Sequence, residues 1–212
     1  MLTTAALKIT TPACVASWPY LLEPDGKFCK PGEPPVYKVD LVLDPEDADH
    51  AAFISKVLDY YEKCHQNLLD AGERVKMRCD PPIQPQEDKQ GDPTGLMILK
   101  CKMKSAITSA KSGKTWEQRP KMYDAATNPL KPINVGGGSL LKVAGEFVPF
   151  NSPKPVGAGI TFRMKGVQVL KLVSGMGESA EDMGFGAEEG GFVSETEEGF
   201  TDTTVGDQDG NY

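Results

Sequence analysis

A chain of 212 residues with 23 Lys and Arg against 30 Asp and Glu carries a formal charge of −7, a length that fits one ordinary domain with an appendage. Five cysteines without a C-x-x-C pair and only two histidines point to reduced thiols and leave too few close ligands for zinc, so no metal or cofactor is expected. No apolar run approaches bilayer length and the N-terminal stretch has no leader-like apolar core, which sets the expectation of a soluble, unsecreted protein with no membrane partner.

Residues 12–35 are rich in Pro, Gly and Lys and read as a loop-dominated segment. Val36 to Leu43 then alternates, with Tyr37, Val39, Leu41 and Leu43 on one side and Lys38 and Asp40 on the other, the pattern of a half-buried strand. Asp44 suits a helix cap, Pro45 the first turn, and Glu46, Asp47 and Asp49 the positive end of the helix dipole. Phe53, Val57, Leu58, Tyr61 and Leu68 follow at helical spacing before Gly72, which predicts a helix of roughly 26 residues over 45–70, packed on a sheet. Cys64-His65 falls inside it and reads as ordinary packing.

Residues 80–95 read as a polar loop, and strands are expected over 96–108, 114–124, 139–150 and 158–172. Turns are expected at Ser112-Gly113, at Asn128-Pro129 and from Asn151. Apolar positions are even before Gly166 (Ile160, Phe162, Met164) and odd after it (Val167, Val169), so a bulge is expected there. The fold class is mainly β, a five- to six-stranded barrel of the oligonucleotide-binding type with one long packed helix.

The candidate surface begins on strand 96–108. Leu99, Cys101, Met103 and Ile107 share one parity, and Lys100, Lys102 and Lys104 the other, which lines ammonium groups about 7 Å apart, close to the phosphate repeat of an extended single strand. A solvated sheet face is the plain alternative. From Arg74 to Lys121 there are 11 basic residues against five acids, among them Lys111, Lys114, Arg119 and Lys121, with Trp116 and Tyr123 interleaved. Aromatic faces among cations are what sequence-tolerant base stacking requires. Lys38 on the first strand and Arg163 and Lys165 on the last extend the set. On strand 139–150, Lys142 and Phe150 share a parity, so Phe150 is either a stacking platform beside a phosphate-binding lysine or an edge residue under a loop.

Gly113-Lys114-Thr115 lacks the Gly that a phosphate-binding loop needs five positions earlier, where Thr108 stands, and no helix pattern follows. Gly136-Gly137-Gly138 likewise precedes a strand, so a hairpin tip and a turn are the better readings. No catalytic constellation emerges, and the chain is not expected to be an enzyme.

All 23 basic residues lie at or before Lys171, and residues 174–212 hold 11 of the 30 acids; residues 1–173 therefore carry +4 and the tail −11. The division expected is a nucleic-acid-binding domain over 1–173 and a disordered acidic tail over 174–212. As a flexible coil the tail spans about 34 Å, against a radius of gyration near ~16 Å for the body, so it can reach the basic face. Gly184-Phe185, Gly191-Phe192 and Gly199-Phe200 recur in it beside acids, either as docking motifs or as low-complexity spacing.

Val36-Tyr37-Lys38-Val39-Asp40-Leu41, Lys63-Cys64-His65, Gly136-Gly137-Gly138-Ser139 with Leu140-Leu141-Lys142-Val143, Val148-Pro149-Phe150 and Val156-Gly157-Ala158 occur in this order. Through them the chain resembles, over about residues 10–172, the single-stranded DNA-binding proteins of podovirus-type bacteriophages. The resemblance implies an oligonucleotide-binding barrel, binding of single-stranded DNA in replication and recombination, strand annealing, a homodimer, and work in the cytoplasm of the infected bacterial cell. It implies that the acidic tail recruits the phage DNA polymerase and helicase-primase, with Phe185, Phe192, Phe200, Asp207, Asp209 and Tyr212 as docking residues, Tyr212 standing where the family has Phe. By position Lys142 would contact backbone and Phe150 a base. Pro34-Pro35 replaces the family's basic residue before Val36, leaving Lys27 or Lys30 as substitutes. An RNA-binding or annealing module on the same barrel is the alternative, and a nucleotide hydrolase using Lys114 the remote one.

Overall fold

The computed structural model describes residues 4–27, 29–75, 78–109, 111–152 and 157–173. The chain divides into a unit of Met1–Gly177 and one of Glu178–Tyr212; the second lies outside the described residues. In chain order the first contains β1 (Leu7–Thr10), β2 (Cys14–Asp25), β3 (Val36–Leu43), α1 (Ala48–Asp70), β4 (Ile83–Glu87), β5 (Pro93–Lys104), β6 (Ala106–Thr108), β7 (Thr115–Glu117), β8 (Lys121–Tyr123), β9 (Pro129–Leu130), β10 (Leu140–Ser152) and β11 (Gly157–Lys171).

Five of these strands close a ring. β2 pairs with β3 and β3 with β5, both antiparallel; β5 pairs parallel with β11, β11 antiparallel with β10, and β10 returns to β2. This is the expected oligonucleotide-binding barrel. β1 lies on β10, β4 on β5, and β8 with β9 on β11, while β6 and β7 form a separate two-stranded hairpin.

The interior follows from period-two burial. β3 buries Tyr37, Val39, Leu41 and Leu43, β5 buries Leu99 and Cys101, and β10 buries Leu141, Val143 and Phe147. On β11, Ile160, Phe162 and Met164 are buried before Gly166 and Val167 and Val169 after it. The register supports the expected bulge: Ala144 opposes Gly166 and Gly145 opposes Met164, so Lys165 is the extra residue. Phe147 and Phe162 meet inside at 4.8 Å between ring centroids. Phe53, Val57, Tyr61 and Cys64 of α1 pack into the same core, which accounts for the helical stripe; burial pushes the Cys64 thiol up.

Four expectations are corrected. The segment 12–35 is not mainly loop, because Cys14, Ala16 and Leu21 are buried on β2; a register shift between Ser17 and Tyr20 flips the parity and hides the alternation. The helix starts at Ala48, since Asp47 and not Asp44 caps it, its carboxylate accepting from the Asp49 and His50 amides; Asp44 instead accepts from the Glu46 amide in the preceding turn. Residues 80–95 contain β4, which turns through Asp88–Asp92 onto β5. The strand expected over 96–108 breaks at Ser105, so Ile107 leaves the core and is exposed. Helix termination matches expectation, with Gly72 at φ +68° and its amide donating to the Leu69 carbonyl.

Gly145 sets how tightly the β10–β11 pair can close. A Cβ there would lie 2.5 Å from the Arg163 carbonyl oxygen and 2.6 Å from the Phe162 ring. Gly145→Ala is therefore expected to lower the unfolding free energy by about 2 kcal/mol, read from urea denaturation. A change under about 0.5 kcal/mol would show that the hairpin absorbs the methyl without strain.

Candidate nucleic-acid interface

Ring closure assembles cations on the outer face from strands far apart in sequence. Lys102 is the crossing point of two lines. Along β5, Lys100, Lys102 and Lys104 are all exposed while Leu99 and Cys101 point inward, as the parity predicts. Across the barrel, Lys102 opposes Lys38 on β3 and Arg163 on β11, with strands about 5 Å apart. Cross-strand like charges repel. Among the described residues neither Lys102 nor Arg163 is in an ion pair, so the centre of the row is free to meet anions.

Carboxylates sit at its margins. Asp25 pairs with Lys38 at 2.5 Å, and that bond, then the Lys27 amide donating to it, holds the Asp25 carboxyl below its ordinary value. Glu146 pairs with Lys165 at 2.7 Å and is lowered by that bond and by the fields of Lys165, Arg163 and Lys8. Asp40 opposes Lys100; burial raises its carboxyl although Lys100, Lys102 and Lys38 pull the other way.

Lys111 and Lys114 stand at the tip of the β6–β7 hairpin with Trp116 exposed on its flank. The tip is the turn expected, with the Ser109 amide donating to the Lys114 carbonyl and Gly113 at φ +65°. The hairpin base is tied to the barrel by Gln118, whose amide donates to Ser105 and whose side chain donates to the Lys104 carbonyl. Between base and barrel lies an open groove of about 590 Å³ with Pro24, Pro34, Pro35, Tyr37 and Arg119 in its walls. The Arg119 Nε donates to the Tyr37 hydroxyl at 3.4 Å.

Beyond the bulge on β11 a second row runs from Lys142 through Gln168 to Tyr123, and Lys121 lies beside Gly166. Phe150 does not stand beside Lys142. It shares that side of β10 but lies eight positions on, about 27 Å away, and its ring covers Gly159, whose Cβ would come within 3.2 Å of it. Lys27 and Lys30 are exposed on the 26–35 connection. Arg78, counted in the basic segment, instead lies over the Tyr61 ring and pairs with Glu62 of α1. Phe185, Phe192, Phe200, Asp207, Asp209 and Tyr212 lie outside the described residues. Among the described residues no three His, Cys, Asp or Glu converge on a metal-sized site, and no helix is long and apolar enough to cross a membrane.

Two residues escaped the sequence reading. Trp18 is 70 % exposed and Tyr20 43 %, and Tyr20 opposes Lys38, whose Nζ lies 4.8 Å from the ring centroid. The only available signal was Pro19 between two aromatics where the Cys14/Ala16 alternation fails.

Known proteins share this fold. Residues 13–172 match the family described as "Single-stranded DNA-binding protein, Bacteriophage T7". The chain is 24 % identical over 168 residues to the single-stranded DNA-binding protein of Enterobacteria phage T3, covering 75 % of this chain and 72 % of that one. It is 26 % identical over 168 residues to that of Escherichia phage T7, covering 75 % and 71 %. Its fold is similar to the crystal structure of gp2.5, a single-stranded DNA-binding protein encoded by bacteriophage T7, with TM-score 0.61, 23 % identity and 90 % and 100 % of the two chains covered. It is also similar to the single-stranded DNA-binding protein of bacteriophage Enc34 in complex with single-stranded DNA, with TM-score 0.52, 17 % identity and 80 % and 89 % covered.

The two marginal ion pairs predict an acid dependence. Asp25 and Glu146 have depressed folded-state values, so their stabilisation is full above the ordinary carboxylate range and lost as pH falls through the folded values. Thermal melts of Asp25→Asn and Glu146→Gln should lie below wild type near about pH 6 and converge with it once pH has fallen below the depressed folded-state values. Parallel curves at every pH would show that the pairs add nothing.

Proposed function

The chain belongs to the bacteriophage T7 family of single-stranded DNA-binding proteins, and from that membership we propose that residues 1–173 bind single-stranded DNA without sequence preference and without a catalytic step. The observation that carries the reading is the row of Lys38, Lys102 and Arg163 across three adjacent strands, crossed by Lys100 and Lys104. A duplex is not required: phosphates of an extended strand meet the cations, and unpaired bases meet exposed aromatics, which stack on any base. The basic hairpin with Lys111, Lys114 and Trp116, and the Lys142–Tyr123 row with Lys121, extend the path to either side. Arg119 lines the groove between barrel and hairpin.

The tail supplies a second role in this proposal. Its 11 acids compete with DNA for the basic face and recruit the phage DNA polymerase and helicase-primase in replication and recombination, inside the infected bacterial cell, with the protein working as a homodimer that anneals strands.

Fluorescence anisotropy with labelled oligo-dT across a salt series tests the binding. If about five phosphates are neutralised, log K falls with log salt at a slope near about −3.5. Lys102→Ala and Arg163→Ala should each weaken binding several-fold, flatten the slope by about 0.7 and leave the melting temperature unchanged or higher. No binding at low salt, even with 174–212 deleted, overturns the reading; tighter binding to a matched RNA strand redirects it to RNA. Deleting 174–212 should tighten oligo-dT binding at low salt, and an unchanged affinity refutes the competitor role.

A further inference from the structure

We infer that Trp18, presented on the β2 bulge beside Tyr20, is a platform on which an unpaired nucleobase stacks; the assignment rests on the single-stranded DNA reading above and names a residue for it.

Three observations converge on this tryptophan. It is the most exposed large apolar side chain among the described residues, at 70 %. Its backbone lies at φ +48°, a left-handed conformation that costs a bulky L-residue free energy and that Gly or Asn would adopt more readily. Strain of this kind is retained where the surrounding structure holds a side chain for use. The bulge holding it falls between Ser17, which opposes Asp40, and Tyr20, which opposes Lys38. Tyr20 therefore forms the β2 end of the row that continues through Lys38 to Lys102 and Arg163, and Trp18 precedes it by two residues on the bulge.

The bulge explains the presentation. On a regular strand, the buried side chains of Cys14 and Ala16 would put Trp18 on their inward side. The extra residue turns it out instead, and Leu21 restores the core on the opposite parity. The other candidate aromatics are worse placed: Tyr123 is half-buried, Phe150 covers Gly159, and Trp116 belongs to the separate hairpin.

The two tryptophans of the chain, Trp18 and Trp116, allow a direct readout. The emission by which wild type exceeds Trp18→Phe belongs to Trp18 and should be quenched as oligo-dT saturates the full-length protein. Trp18→Ala should bind oligo-dT about tenfold more weakly, within the range for loss of one stacked base, with the salt slope of wild type, because stacking neutralises no phosphate. Trp18→Phe should recover most of that affinity. Trp18→Gly should match Trp18→Ala in affinity yet melt at an equal or higher temperature, since glycine relieves the positive φ; a merely structural tryptophan would lower it. Wild-type protein that binds while Trp18 emission stays unchanged and Trp18→Ala keeps full affinity overturns the assignment, as does a Trp18→Ala defect confined to self-association in sedimentation. Wild-type protein that fails to bind oligo-dT removes the parent reading instead.

Discussion

The ring of five strands closes between β5 and β11 at one paired position, and the two residues that meet there are Lys102 and Arg163. Two exposed like charges at such a separation repel by roughly 1 kcal/mol or less in a water-like dielectric. Burying one Val, Leu or Phe side chain contributes about 1.5–3 kcal/mol, and Leu99, Cys101, Phe162 and Met164 lie buried on the inner faces of the same two strands. The core therefore wins, and the outer face is left with a local excess of positive potential that the fold itself does not relieve. Gly145 matters for the same reason, because the Arg163 carbonyl oxygen occupies the space its side chain would need.

Acidic side chains are distributed so that this excess stays central. Lys38 and Lys165, toward the margins, are tied to Asp25 and Glu146, while half-buried Asp40 opposes Lys100. A marginal carboxylate keeps a lysine in one rotamer and lowers its local repulsion at little cost to the field over Lys102. The central residues keep solvent-facing ammonium and guanidinium groups.

Much of this was legible in residue order, wherever a single period ran uninterrupted. β3, the Lys100/Lys102/Lys104 face of β5 and the parity switch on β11 all follow from alternation, and α1 from its stripe. Reading failed where an extra residue or a break changed phase. The bulge at Trp18-Pro19 disguised β2 as a loop and hid two exposed aromatics. Ser105 divided an apparently continuous strand, moving Ile107 to the surface. Asp44 and Asp47 are both chemically suited to cap a helix, and only the backbone geometry chooses Asp47. That Lys38, Lys102 and Arg163 would be neighbours was not legible at all, since their proximity is a property of ring closure and not of any local pattern. Phe150 shows the converse error: equal parity with Lys142 places two side chains on one side of a strand without bringing them together.

The break at Ser105 has a consequence for how the molecule can vary. Because β6 and β7 pair, among the described residues, only with each other and the junction is held by hydrogen bonds from Gln118, the β6–β7 hairpin hangs from the barrel as a self-contained arm. Lengthening or shortening its tip adds only a small, slowly growing loop-closure cost and disturbs no barrel register. Relatives built on the same ring are thus free to differ in the length and charge of this arm, and an inserted peptide tag at Ser112-Gly113 would be carried without refolding the core.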